Sequence, residues 1–235
     1  LKPILSLALL VLPLAAAETE PPVVAVPPCC AVTSRAAAMD QDLFADPTRW
    51  SFGDKNAWKW EGEKTGRTLQ LIAQNTGKPK YRSPFNLAWF EGREWKDFTL
   101  TVECRLTKFD AGNNDLCIAF GRAAENRFYY AHLGEKADEP HHQIHIVDDA
   151  DRKPITRFRT DGTPWKEEQW HRVKIVRNTA TGDIGVYFDD MEKPVLTAQD
   201  KTLEWGQIGL GSFDDLGEFR NVRIKGTSRD KPSGK

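Results

Sequence analysis

Residues 97–106 read DFTLTVECRL. Phe98, Leu100, Val102, Cys104 and Leu106 alternate with Thr99, Thr101, Glu103 and Arg105. A period of two sends successive side chains to opposite faces of an extended chain. One face then packs while the other meets water, as in an antiparallel sheet covered on one side. A helix would scatter the same apolar residues around its axis instead of gathering them on one stripe.

The same alternation recurs on both sides of this stretch. TLQLIAQ (68–74), FNLAWFE (85–91), DLCIAFG (115–121), RFYYAHL (127–133) and QIHIVD (143–148) are short and rich in β-branched or aromatic residues. WHRVKIV (170–176), DIGVYFDD (183–190), GQIGLGS (206–212) and EFRNVRIK (218–225) continue the series, with Gly, Asn, Asp or Pro between them. About ten strands at intervals of roughly 8–15 residues predict an all-β fold, a two-sheet antiparallel sandwich or jelly roll. No internal repeat is visible, which disfavours propellers and solenoids.

The ends differ in character. LKPILSLALLVLPLAAAETE opens the chain with Lys2, an apolar run from Ile4 to Leu14, and the small residues Ala15–Ala17. That is the layout of a secretory signal peptide over residues 1–17, with cleavage expected after Ala17. The run is too short to span a bilayer as a settled helix, so no membrane span is expected after cleavage. Residues 18–40 mix Pro, Ala and small polar residues and read as a linker. The strand pattern occupies 41–226, and 227–235 form a polar tail. A secreted or periplasmic location follows from the leader.

Composition narrows the partners. The chain has 235 residues with 33 basic and 34 acidic side chains, so it has no electrostatic footprint for nucleic acid. The basic residues are dispersed, which leaves no polybasic membrane patch. Forty per cent hydrophobic residues and eight tryptophans suffice for a substantial core. Cys29 and Cys30 are adjacent, without the spacing of a zinc site. Cys104 and Cys117 lie on consecutive strands and have two readings, a cross-strand disulfide or two buried free thiols. The thiols are preferred.

Trp170-His171-Arg172-Val173, Gly206-Gln207-Ile208-Gly209-Leu210 and Phe219-Arg220-Asn221-Val222 carry a resemblance. The chain resembles the concanavalin-A-like jelly rolls: laminin-G-like modules, family-16-like glucanases and especially the bacterial 3-keto-disaccharide hydrolase domain family. The resemblance covers roughly residues 41–226. It implies a jelly-roll sandwich and an oligo- or polysaccharide partner. Its motifs are strand ends and turns, so they speak for the fold and not for a reaction. Gly209 and Gly211 are expected to make room for closely approaching neighbours. Trp170 is expected in the core or at a sheet rim.

The chemistry has to be sought elsewhere. The E-x-D-x-x-E strand that pairs two carboxylates in family-16 enzymes is absent, and Glu103 stands alone in VECRL. HHQIHIVDD (141–149) is the more informative stretch. With Ile144 and Ile146 facing the core, Gln143 and His145 face the opposite way. On RFYYAHL, Tyr130 and His132 share one side with Phe128, and Tyr129 and Ala131 take the other. Gathered on adjacent strands, these residues would form a groove that stacks a sugar and bonds its hydroxyls. His132 and His145 are then acid/base candidates. Asp115 is their orienting carboxylate, and Tyr130 and Gln143 position substrate. A strand with polar residues simply turned to water is the competing reading.

Gln143-Ile144-His145 also resembles a strand motif of family-7 alginate lyases. The Arg-rich and Tyr-bearing strands of that family have no counterpart in YRSPFNLAWF and GLGSF. Asp148, Asp149, Asp151, Asp189, Asp190, Asp214 and Asp215 leave structural Ca2+ open without a regular spacing for it. His141-His142 could bind zinc, but neighbours on a strand face opposite ways, and no metal ligand set is assigned. The expectation is an exported glycan-active protein of the 3-keto-disaccharide hydrolase type. A non-catalytic carbohydrate-binding or adhesion module and a polysaccharide lyase-like enzyme are the alternatives. The oligomeric state is not legible.

Overall fold

The structure is a computed structural model and describes residues 36–64, 66–109 and 114–231. The expected signal peptide and most of the linker lie outside the described residues.

Sixteen strands are found among the described residues. In chain order they are β1 (Ala37–Asp42), β2 (Trp50–Phe52), β3 (Trp58–Glu61), β4 (Thr68–Leu71) and β5 (Asn86–Phe90). β6 (Arg93–Leu106), β7 (Asp115–Ala124), β8 (Arg127–Gly134), β9 (Gln143–Asp148) and β10 (Lys153–Pro154) follow. The series closes with β11 (Thr156–Arg159), β12 (His171–Arg177), β13 (Asp183–Phe188), β14 (Leu196–Gln199), β15 (Gln207–Ser212) and β16 (Gly217–Asp230). All ten stretches read from the sequence are strands. The short β2, β3, β10, β11 and β14 carry too few alternations to stand out.

Two antiparallel sheets result. One runs β11-β14-β13-β12-β6-β16-β4-β3 with β1 also paired to β16, and the other runs β10-β9-β8-β7-β15-β5-β2. β1 lies along β16 from Ala37 opposite Ser228 to Asp42 opposite Arg223. The folded region therefore reaches beyond the 41–226 limits at both ends, into the residues expected as linker and tail.

The core between the sheets follows the alternation. Phe98, Leu100, Val102, Cys104 and Leu106 of β6 meet Leu116, Ile118 and Phe120 of β7, with Tyr129, Ala131, Leu133, Ile144 and Ile146 beyond. A second cluster lies on the outer face of the seven-stranded sheet and contains Trp89, Cys117, Ala119, Phe128, Tyr130, Val147 and Phe213. Cys104 and Cys117 are both free and buried, one in each cluster. β6 and β7 are consecutive in the chain but belong to different sheets, so the cross-strand disulfide reading has no register to rest on.

Trp170 is half-buried on the outer side of the nine-stranded sheet, between Arg220 (3.9 Å to the ring centroid) and Arg105 (4.8 Å). Those arginines bond Glu103 and Glu218 across β6 and β16. Its neighbour His171 is buried, donating from Nδ1 to Asp189 Oδ2 at 2.8 Å and stacking on Phe188. Both residues of this motif are structural.

Candidate functional site

Register brings the five sequence-selected residues together on the outer face of β7–β8–β9. Cys117 is opposite His132 and Asp115 is opposite Gly134. Tyr130 is opposite His145 and His132 opposite Gln143. They do not line an open groove. Asp115, Tyr130, His132, Gln143 and His145 are all buried, none more than 8% exposed. The reading in which these polar residues simply face water is not what the structure shows either.

What covers them comes from three loops, 213–216, 149–152 and 135–142. Phe213 stacks on His132 at 5.0 Å, and Arg152 lies 4.5 Å over Phe213 while donating to the Tyr130 hydroxyl at 3.3 Å. From the other side, Pro140 O accepts from His132 Nδ1 at 2.9 Å and Glu139 O accepts from Gln143 Nε2 at 3.3 Å. His141 packs edge-on against His132 and bonds Asp138 through Nδ1 at 2.7 Å. No strand periodicity foretells this cover, because it is built by residues between strands.

The electrostatics follow from burial. His145 stacks on Tyr130 at 5.0 Å, and burial, helped by His132 and Arg152, drives its pKa down to about 2. Such a ring stays neutral and is a poor base. Burial likewise pushes the Tyr130 hydroxyl up, and it pushes the Cys117 thiol up, with Asp115 adding to it. His132 Nε2 lies 3.0 Å from Asp115 Oδ2, yet Nε2 and Asp115 Oδ1 have no hydrogen-bond partner among the described residues. The 3.0 Å contact is close but out of line for a hydrogen bond.

His142, the residue before this strand, faces away to Thr160 Oγ1 at 3.0 Å and adopts a positive φ of 49°. Burial first, then Arg159, lowers its pKa to about 4. The unfolded chain takes up this proton below roughly pH 6.5, whereas the folded chain does not. Stability from His142 is therefore complete above that pH and lost as pH falls towards 4, at about 1.4 kcal/mol per pH unit. We expect a His142→Asn protein, which tolerates the same backbone, to lose about 2–3 kcal/mol less stability than the parent between pH 6.5 and 4.5. Urea titrations at the two pH values measure this, and equal losses would refute it.

The open part of this face lies beside the buried cluster. A cleft of about 360 Å3 is lined by Phe52, Asn75, Lys78, Lys80, Phe85, Trp89, Arg122, Glu125, Asn126 and Phe128, among others. Trp89 of β5 forms its floor, edge-on to Phe128 at 5.3 Å and beneath Arg122 at 4.7 Å. Gly209 of β15 allows this, since a Cβ there would stand 2.6 Å from Trp89 Cε3. A Cβ on Gly211 would meet Asn86 O at 2.0 Å. Both glycines play the role expected from the sequence.

Buried Asn86 ties the cleft to the cluster. Its Oδ1 accepts from Asn75 N at 2.7 Å, while Nδ2 donates to Gln74 Oε1 at 2.7 Å and Phe213 O at 2.9 Å. Phe85, on the rim, packs edge-on against Phe213 and is 36% exposed. Sequence reading passed over this site because Phe85, Asn75 and Lys78 sit in an irregular loop. FNLAWFE gave the one available signal, Trp89 on the strand face opposite Ala88 and Phe90.

The loop acids at which calcium was left open have protein partners in several places. Asp148 takes Arg127 at 2.6 Å, Asp151 accepts from Arg82 N at 2.8 Å, and Asp189 takes His171 and Arg172 N. Asp190 accepts from Glu192 N and Lys193 N as a turn residue does.

No protein-family model and no curated protein sequence matches the chain. Solved structures do. The carbohydrate-binding module CBM66 from Bacillus subtilis is 18% identical, with a TM-score of 0.53 over 75% of this chain and 95% of that one. A Parabacteroides distasonis protein provisionally described as a glycosyl hydrolase is 13% identical, with a TM-score of 0.53 over 80% and 99%. Winged bean acidic lectin, complexed with methyl-α-D-galactose, is 11% identical, with a TM-score of 0.52 over 84% and 100%. At these identities the likeness establishes architecture: the fold is a concanavalin-A-like jelly roll, as the sequence predicted.

Proposed function

We propose that this protein is an exported carbohydrate-binding jelly roll that holds an oligo- or polysaccharide in the cleft above Trp89. The observation that carries this reading is the chemistry of the cleft. Phe85 offers a ring for the C–H surface of a sugar beside the Trp89 floor, and Asn75, Asn126, Lys78, Lys80 and Arg122 surround them with hydrogen-bonding groups. About 360 Å3 falls at the lower end of the ~300–1,000 Å3 typical of ligand pockets. Among the described lining residues Glu125 is the one carboxylate, so the acid and base of ordinary glycoside hydrolysis are not paired here. The binding module and the lectin of the same fold supply the precedent. Among the described residues no helix is long and apolar enough to cross a membrane.

A hydrolytic reading, of the 3-keto-disaccharide type or another, is second. It is favoured by the His132–Asp115 approach at 3.0 Å. It requires Phe213 and residues 138–142 to move off His132, His145, Tyr130 and Gln143 before substrate arrives. The lyase reading needs the same exposure of Gln143 and His145 and has no further support.

A glycan array read for both retention and released product separates these. The binding reading expects a retained glycan, no product, and affinity reduced by roughly tenfold or more in Phe85→Ala, whose exposed ring leaves the fold intact when removed. Product that disappears in His132→Gln, while circular dichroism is unchanged, would transfer the assignment to the hydrolytic reading. Retention by no glycan, or retention untouched in Phe85→Ala, would overturn the cleft.

A further inference from the structure

We propose that Asp115, Cys117 and His132 form a buried site for one divalent cation of the zinc class. β7 places Asp115 and Cys117 two residues apart, hence on one face, and the β7–β8 register sets His132 directly across from Cys117. One ligand atom from each lies within 4.8 Å of the other two. Tetrahedral zinc with bonds of about 2.0–2.3 Å holds its ligands roughly 3.3–3.8 Å apart, so the three side chains would close by no more than about 1–1.5 Å around the ion.

Three further observations point to a cation there. His132 Nδ1 is engaged by Pro140 O at 2.9 Å, so Nδ1 carries a hydrogen, and Nε2 lies 3.0 Å from Asp115 Oδ2 without a hydrogen bond joining them. That carbonyl partner is the outer-shell arrangement of a metal-bound histidine. Second, His132 Nε2 and Asp115 Oδ1 are buried without a hydrogen-bond partner among the described residues. The side chains are 99% and 96% buried, where an unpaired polar atom is costly. Asp115 can thus offer both oxygens. Third, the charges balance. A thiolate, a carboxylate and a neutral imidazole neutralise a divalent ion inside a dry cluster.

A soft thiolate with imidazole and carboxylate selects zinc over magnesium or calcium. Binding forms a metal–sulfur bond and releases the Cys117 thiol proton to solvent. The site lies beneath Phe213, whose carbonyl bonds Asn86, so it would brace the segment that separates cluster from cleft. It is independent of what the cleft holds.

The test uses the full chain with Cys29→Ser and Cys30→Ser, reduced and refolded with Co2+ as a spectroscopic substitute. One equivalent of Co2+ should give tetrahedral visible absorption and a thiolate-to-cobalt charge-transfer band, both displaced by Zn2+. Both should vanish in Cys117→Ser and weaken in His132→Gln. Free Zn2+ at about a hundred times its Kd should raise the thermal midpoint by roughly 5–10 °C. Folded protein without the thiolate band, or a band that survives Cys117→Ser, would overturn the site. A metal-free ion pair between Asp115 and His132 predicts that first outcome. Should Cys117→Ser fail to fold, Asp115→Asn and the zinc retained by the unsubstituted chain after dialysis decide, and no retained zinc overturns the proposal.

Discussion

Trp89→Ala is expected to lower the unfolding free energy by about 3–5 kcal/mol and to remove glycan retention in the same protein. The indole is 7% exposed and belongs to the outer-face cluster with Phe128, Tyr130 and Phe213. Its removal leaves a void over Gly209, which has no side chain to fill it. Arg122 then loses the ring beneath its guanidinium and is left to Glu91 at 3.5 Å and Gln207 at 3.4 Å. Trp89→Phe keeps most of the apolar volume and should lose about half as much stability. Guanidinium titrations of the three proteins, beside the glycan array, measure both effects. A Trp89→Ala protein within about 1 kcal/mol of the parent would mean that the outer cluster is dispensable.

The second large effect is at Arg177. Strand alternation places this residue on the packed face with Val173 and Ile175, and it is 4% exposed. Its Nη1 donates to Gly182 O at 2.7 Å and Nη2 to Asp200 O at 2.9 Å and Leu203 O at 3.3 Å. The guanidinium also lies 5.4 Å from the ring of Tyr129, whose hydroxyl donates to the Asp200 carboxylate. One side chain thus fastens the β12–β13 turn and the 200–203 loop to β8. Burial depresses its pKa, opposed by Tyr129 and by the acids Asp200, Asp97 and Asp183, and a guanidinium stays charged in a protein. Arg177→Met retains volume and strips the donors. Gly182 O keeps a backbone donor in Asp200 N, whereas Asp200 O and Leu203 O lose the partner the arginine supplied. At about 1–3 kcal/mol for each of the two orphaned acceptors, a total loss of about 2–6 kcal/mol is expected. Arg177→Lys should fall between, because an ammonium cannot span both loops. Chemical denaturation orders the three proteins, and Met as stable as Arg would show that the carbonyls find water instead.

Much of the fold was legible because the inter-sheet core obeys a local rule. DFTLTVECRL, RFYYAHL and QIHIVD each assign their faces by position alone, and Tyr130, His132, Gln143 and His145 did fall on the side opposite Ile144 and Ile146. Whether that side was open was not a local property. Phe213 and Pro140 reach His132 from loops 81 and 8 residues away in sequence, and loops carry no period. The cleft was illegible for the same reason, since its rim residue Phe85 and its amides come from a turn-rich segment held by Asn86.

Alternation, turn residues and strand count by themselves determined an all-β two-sheet antiparallel sandwich and the inward and outward faces of its long strands. These follow from backbone geometry, which every residue in a strand shares with its neighbours. Only the tertiary structure decided which strands entered which sheet, and so that Cys104 and Cys117 lie in separate clusters. It also decided that the histidine part of the outer face is roofed while a cleft stays open beside it above Trp89, and that Cys117 stands opposite His132. Those outcomes depend on cross-strand register and on loop closure, which are set by packing between segments far apart in the chain and leave no periodic trace in any one of them.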